Sequence, residues 1–146
     1  MERSATSRLP VERLYGLAVT LASGGVLGVA AWLTPDPEGH GTHTQLGLTR
    51  CGWVALFDKP CPTCGMTTAF GHAAQGDFVQ ATITQPMGSL LSLIAAAMLW
   101  GGLHAMLTGA RVNGLVLRLV NRWTLLGGFL LLLAAWGYKL AVWIPS

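Results

Sequence analysis

The sequence predicts an all-α integral membrane protein with three transmembrane helices. Hydrophobic residues make up 52% of its 146 residues and charged residues only 10%, whereas soluble domains carry about 25% charged residues. Three apolar segments also reach the length of about 20 helical residues that a hydrocarbon core requires. We predict these spans over residues 14–33, 88–107 and 123–144 of a single membrane domain, 1–146.

The three segments are expected to be helices rather than barrel strands. None of them alternates apolar and polar residues as a barrel strand does, and a helix satisfies its own backbone amides in lipid. The first two spans contain no charged residue, and the third contains only Lys139. Because Lys139 lies near the end of its span, we expect its ammonium group to extend to the membrane surface.

The distribution of lysine and arginine predicts how the chain is oriented, since short cytoplasmic loops are enriched in both. The first loop mixes two basic residues, Arg50 and Lys59, with four acidic ones. We therefore predict that the N-terminus and second loop are cytoplasmic and that residues 34–87, the outer segment, are extracytoplasmic. The remaining basic residues of the termini and loops are Arg3, Arg8, Arg13, Arg111, Arg118 and Arg122.

Two further patterns concern packing at the membrane. Arg111, Arg118 and Arg122 project in nearly one direction at 100° per residue, which predicts an amphipathic interfacial helix in the second loop. In the first span, Gly24 and Gly28 form a G-x-x-x-G pattern that favours close helix contact, and we expect that contact to be within the chain.

Short membrane-apposed helices are predicted within the outer segment. The stretch Met66 to Ala74 is typical of a short helix ending near Gly76. Asp77 is a suitable N-cap for a further helix that reaches Pro86. The outer segment is therefore expected to fold against the membrane rather than to act as a linker.

The outer segment holds all three cysteines of the chain, Cys51, Cys61 and Cys64, and we expect them to form one unit. Cys61 and Cys64 lie in the motif Cys61-Pro62-Thr63-Cys64-Gly65. Proline fits the first turn of a helix, so the motif predicts a helix that begins near Cys61. Its dipole would favour the thiolate form of the cysteines.

Two chemical interpretations of these thiols stay open. In the first, Cys51, Cys61 and Cys64 bind zinc or iron, with His40 or His43 as the fourth ligand of a tetrahedral site. In the second, two cysteines form a disulfide, as an oxidising compartment favours. Such a disulfide is either a structural staple or a thiol-exchange pair, and neither metal nor cofactor is required by the sequence.

The motif order from Cys51 through Cys61-Pro-Thr-Cys64-Gly65-Met-Thr-Thr-Ala, Gly76-Asp77-Phe78 and Gln85-Pro86 resembles domain-of-unknown-function family 2752. The resemblance covers residues 50–105 and implies a small bacterial membrane protein, placed as a multi-pass protein in the inner (plasma) membrane. It implies no activity. The chain departs from the family pattern at Thr68, where an arginine is expected, and at Gln85, where an asparagine is expected.

The sequence favours a structural or partner-binding module organised by the cysteine motif. It lacks a nucleophile elbow, a phosphate-binding glycine loop and paired intramembrane carboxylates, which argues against catalysis by this chain alone. The net charge of +3 follows from the predicted topology, and no basic patch typical of a nucleic-acid surface is present. The expected partners are the lipid bilayer and a membrane protein or a second copy of the chain.

Overall fold

A computed structural model describes residues 9–49, 51–110, 114 and 120–143 of the chain. Within these ranges all regular structure is helical, which confirms the predicted all-α class. The elements are α1 (Leu9–Trp32), a 3-10 helix (Thr42–Leu46), α2 (Gly52–Phe57), α3 (Met66–Ala74), α4 (Phe78–Thr84), α5 (Pro86–Thr108) and α6 (Arg122–Ala141).

Three of these helices are long and apolar enough to cross a membrane, as predicted. They are α1, from Val11 onward, together with the whole of α5 and α6. The protein is therefore a multi-pass membrane protein. The interfacial helix predicted around Arg111 and Arg118 falls largely on residues 111–113 and 115–119, outside the described residues.

The first two spans, α1 and α5, pack closely through two glycines. A Cβ on Gly16 would lie only 2.5 Å from the backbone nitrogen of Met106, and one on Gly102 would lie 2.8 Å from the Thr20 hydroxyl. A Cβ on Gly28 would meet no atom within 4 Å. The close contact within the chain therefore lies nearer the start of α1 than the predicted G-x-x-x-G pattern.

The two short helices of the outer segment, α3 and α4, confirm the prediction for this region. Helix α3 has the predicted bounds, Met66–Ala74. Asp77 caps α4 by accepting a hydrogen bond from the Gln80 amide at 3.0 Å. The two helices pack on each other and on α5 through small buried side chains, which are Ala69, Ala73 and Ala81.

The third span, α6, is attached to the rest of the protein near its C-terminal end. The Trp136 indole donates a hydrogen bond to the Pro60 carbonyl, and the Tyr138 hydroxyl donates one to the Ile83 carbonyl, both at 3.0 Å. Towards its N-terminus α6 exposes a series of large apolar side chains, Leu125, Leu126, Phe129, Leu130, Leu131 and Leu133. The outer segment is thus what holds α6 in place.

Lys139 completes this attachment, and the prediction that its side chain extends to the membrane surface is wrong. Only 6% of Lys139 is exposed. Its ammonium group donates hydrogen bonds to the carbonyls of Gly39 and Thr84, both at 3.1 Å. Thr84 ends α4, and carbonyls at a helix C-terminus carry partial negative charge that favours a cation. These acceptors stabilise the buried ammonium, so it does not need water.

Candidate functional site: the cysteine turn and its cavity

Residues 60–65, the cysteine turn, form a tight backbone turn directly before α3. The Cys64 amide donates to the Cys61 carbonyl at 3.0 Å, and the Met66 amide donates to the Thr63 carbonyl at 3.1 Å. The predicted helix start at Cys61 is therefore wrong, because α3 begins only at Met66. Gly65, with a left-handed φ of +83°, is the N-cap residue directly before α3.

All three thiols are free and line the same cavity. The Cys61 thiol lies close enough to Cys51 to help lower the pKa of the Cys51 thiol. Cys64 interacts electrostatically with both of them. Cys61 also contacts the Thr63 hydroxyl at 3.4 Å. Cys51, ten positions earlier in the chain, thus belongs to the same cluster.

Cys64 and Cys51 differ in how readily their thiols ionise. Burial of Cys64, which is only 7% exposed, raises its pKa to about 11, and the negative charge of ionised Cys61 adds to this effect. Cys64 is therefore a neutral thiol at physiological pH. The prediction that the motif favours thiolate does not hold for Cys64, because loss of hydration outweighs any dipole effect.

In contrast to Cys64, Cys51 has a lowered thiol pKa. Partial burial opposes ionisation of its thiol, but hydrogen bonds from the Val54 and Trp53 amides and from the Cys61 thiol outweigh burial and lower its pKa. These amides belong to α2, which begins directly after Cys51. Cys51 is thus the thiol for which the structure favours the reactive anionic form.

The cysteine turn is fixed on several sides by hydrogen bonds to its backbone. The Gln85 side chain donates to the Pro62 carbonyl at 3.2 Å, and Pro60 accepts from Trp136. The side-chain amide oxygen of Gln85, Oε1, is buried without a partner among the described residues. At Gly65, a Cβ would lie 2.6 Å from the Gly39 carbonyl and 3.2 Å from the Lys139 ammonium. The turn therefore lies between the start of the outer segment and α6.

Both candidate histidine ligands lie on the same side of the molecule as the thiols, but each has a local partner. His40 contacts the Glu38 carbonyl at 3.1 Å and packs its ring on Trp143 at a centroid distance of 4.7 Å. His43 contacts the Thr49 carbonyl at 3.2 Å. Neither ring is free of other contacts.

Among the described residues, no three histidine, cysteine, aspartate or glutamate side chains are placed together to hold one metal ion. The chemistry of the donors nevertheless suits a soft or borderline metal, since thiolates and imidazoles are its preferred ligands. The zinc or iron site at Cys51, Cys61 and Cys64 stays a prediction that would require rearrangement of the cysteines as well as of His40 or His43.

A cavity of about 1130 Å³ connects these groups to the first span. Its polar wall contains all three cysteines together with His40 and His43. Its lining also includes apolar side chains from the C-terminal part of α1. The cysteine cluster is therefore accessible through the cavity. The lining of the cavity is polar near the cysteines and apolar along α1.

Thr68 shows why the chain departs from the arginine that the resemblance leads one to expect. Its side chain is fully buried, and its hydroxyl shares a 2.8 Å hydrogen bond with the Thr42 hydroxyl. The Thr42 hydroxyl in turn accepts a hydrogen bond from the Asp36 amide at 3.0 Å. At this position threonine joins α3 to the 3-10 helix, and the buried site has no room for an arginine.

Comparison with known proteins finds a match that includes the cysteine turn. Residues 51–100 match a family model described as "Protein of unknown function (DUF2752)". The resemblance predicted from the sequence is confirmed over that range. The matched segment includes the three cysteines, α2 to α4 and most of α5. No curated protein and no solved structure matches the chain.

The sequence indicates the cysteines but not three contacts around them. Trp136 and Lys139 bond α6 to the outer segment, and Gln85 bonds to the cysteine turn. The sequence predicts instead that Lys139 extends to the membrane surface. One feature of the sequence could have indicated the contact of Lys139, which is a charged residue in an otherwise apolar span. Such residues face the protein interior more often than lipid.

Proposed function

We propose that the protein is a structural module of a bacterial inner membrane, in which the cysteine turn organises the outer segment and fixes the third span to it. The observation that carries this proposal is the hydrogen bonding of α6. Three of its side chains, Trp136, Tyr138 and Lys139, all donate to backbone carbonyls of the outer segment. Of these acceptors, the Pro60 carbonyl belongs to the cysteine turn itself, and the Gly39 carbonyl lies against Gly65 of the turn.

The outer segment presents a surface on which a partner can bind. Helix α2 exposes Trp53, Leu56 and Phe57, and Leu56 is 79% exposed. The Trp53 and Phe57 rings pack on each other at 5.3 Å. Exposed aromatic groups of this kind suit contact with a membrane interface or a protein partner.

Cys64→Ser tests the structural role of the turn. A buried hydroxyl without a partner costs about 1 to 3 kcal/mol, so we expect less folded protein in cells and a lower melting temperature in detergent. Cys61→Ser should have a smaller effect, because Cys61 is only partly buried. If both variants accumulate and melt like wild type while a cellular phenotype is lost, the cysteines serve chemistry instead.

The orientation that we propose places the outer segment outside the cytoplasm. It is supported by the arginine distribution of the sequence. A membrane-impermeant thiol reagent added to reduced, intact cells should therefore label Cys61 more than buried Cys64. Labelling that requires disruption of the inner membrane would reverse the proposed orientation.

A second function, thiol–disulfide exchange, is favoured by one specific observation. Cys51 and Cys61 line the same cavity, and hydrogen bonds that include one from Cys61 lower the pKa of Cys51. A thiolate beside a second thiol is the arrangement that disulfide formation requires. Cys64, buried and neutral, would then have the structural role alone. This function predicts that mild oxidation joins Cys51 to Cys61 and leaves Cys64 reduced.

A further inference from the structure

The cavity beside the cysteine cluster has two chemically different walls. One wall belongs to a helix that is long and apolar enough to span the membrane. The residues of α1 that form it are Gly25, Val26, Val29 and Ala30, and Leu33 directly follows the helix. Val26 and Val29 remain 53% and 44% exposed, so an apolar chain can lie along them. A molecule that fills the cavity must therefore be amphipathic.

The polar wall restricts what the head of this molecule can be. Three carboxylates, Asp36, Glu38 and Asp58, line it, and no lysine or arginine does so among the described residues. A phosphate head would be repelled there, because like charges at short range are unfavourable. The imidazoles, the thiols and the Thr63 hydroxyl can donate hydrogen bonds to an uncharged carbonyl oxygen. These groups therefore favour a small head that carries hydrogen-bond acceptors and no negative charge.

We propose that this cavity binds a membrane-soluble quinone, with its ring against Cys51 and Cys61 and its apolar tail along α1. This inference rests on the thiol-exchange function proposed above and supplies its electron acceptor. Cys51 and Cys61 each lose one proton and one electron, and an S–S bond forms between their sulfur atoms. The quinone takes both electrons and both protons and leaves as the quinol.

The volume of the cavity agrees with this occupant. Binding sites for small molecules typically enclose about 300 to 1,000 Å³ and combine apolar walls with a few polar groups. The cavity, at about 1130 Å³, is large enough for a quinone ring and the first part of a tail. The remainder of the tail would extend past Val26 and Val29 into lipid.

The test uses the purified, reduced, full-length protein with a short-chain ubiquinone analogue in the absence of oxygen. We expect quinol and disulfide to form in equal amounts, with peptide mapping locating the disulfide between Cys51 and Cys61. Val29→Trp should slow quinone reduction about tenfold, which corresponds to about 1.4 kcal/mol of lost binding. Val26→Trp provides a second variant should the first fail to fold.

Two controls separate this proposal from the function on which it rests. Leu21→Trp changes an exposed residue of α1 outside the cavity lining and should leave the rate unchanged. Diamide, a water-soluble oxidant, should form the Cys51–Cys61 disulfide equally well in wild type and Val29→Trp. If diamide does not form it, thiol exchange is wrong.

If diamide forms the disulfide but the quinone is not reduced, or is reduced equally fast by Val29→Trp, the quinone site is wrong. Mass spectrometry of the intact membrane protein gives an independent result. A phospholipid that stays bound and is not displaced by the quinone analogue would also overturn the site.

Discussion

Lys139→Met is expected to lower the free energy of unfolding by about 2 to 6 kcal/mol, since each of two buried carbonyls left without a donor costs about 1 to 3 kcal/mol. Two carbonyls, of Gly39 and Thr84, lose their donor in this variant. Methionine keeps most of the side-chain volume, so the loss is electrostatic rather than steric. Melting temperature in detergent and the amount of folded protein in membranes measure the effect.

A second readout follows from the position of Lys139 beside the cysteine turn. Without the ammonium group, α6 is held less firmly against Gly65, and Cys64 should react faster with a small thiol reagent. Leu140→Met is the matched control, because Leu140 is the next residue of the same helix and is 39% exposed. If Lys139→Met melts like this control, the lysine does not hold α6 to the outer segment.

The membrane-spanning helices could be predicted from the sequence because their signal is local. A run of about 20 apolar residues has few alternatives in lipid, and the structure differs from the predicted spans by only a few residues at most ends. The α4 N-cap at Asp77 was equally predictable, since a capping side chain bonds to an amide three residues away. Such interactions are encoded within a single turn.

The position of Lys139 could not be predicted because its partners carry no sequence signal. It bonds to backbone carbonyls 100 and 55 positions away in the chain, and every residue has a carbonyl. The same holds for Trp136, whose acceptor is the Pro60 carbonyl. A lysine near the end of a span looks the same in sequence whether it reaches water or a buried carbonyl.

The protonation of the cysteines depends on burial in the same way. The location of all three cysteines in one short segment predicts that Cys51, Cys61 and Cys64 form one unit. It could not indicate that Cys64 is enclosed by the surrounding chain, which raises its pKa, or that α2 directs amides to Cys51, which lowers the pKa there. The sequence motif therefore predicts proximity, whereas the chemistry of each thiol depends on the tertiary structure.

Gly65→Ala is expected to have the other large effect, at about 2 to 5 kcal/mol. The left-handed conformation costs an L-residue about 1 to 2 kcal/mol, and a side chain forced into a packed site costs about 1 to 3 kcal/mol more. The new Cβ would overlap the Gly39 carbonyl at 2.6 Å. Because that carbonyl accepts the Lys139 hydrogen bond, moving it would also weaken the attachment of α6.

Gly76→Ala separates the two contributions. Gly76 has a similar φ of +86°, but a Cβ there meets no atom within 4 Å, so only the conformational cost applies. We expect the melting temperature of Gly76→Ala to fall clearly less than that of Gly65→Ala. If the melting temperatures of both variants fall equally, Gly65 serves only to turn the chain. If the melting temperature of Gly65→Ala falls further, the difference measures the close approach of the cysteine turn to Gly39 and Lys139.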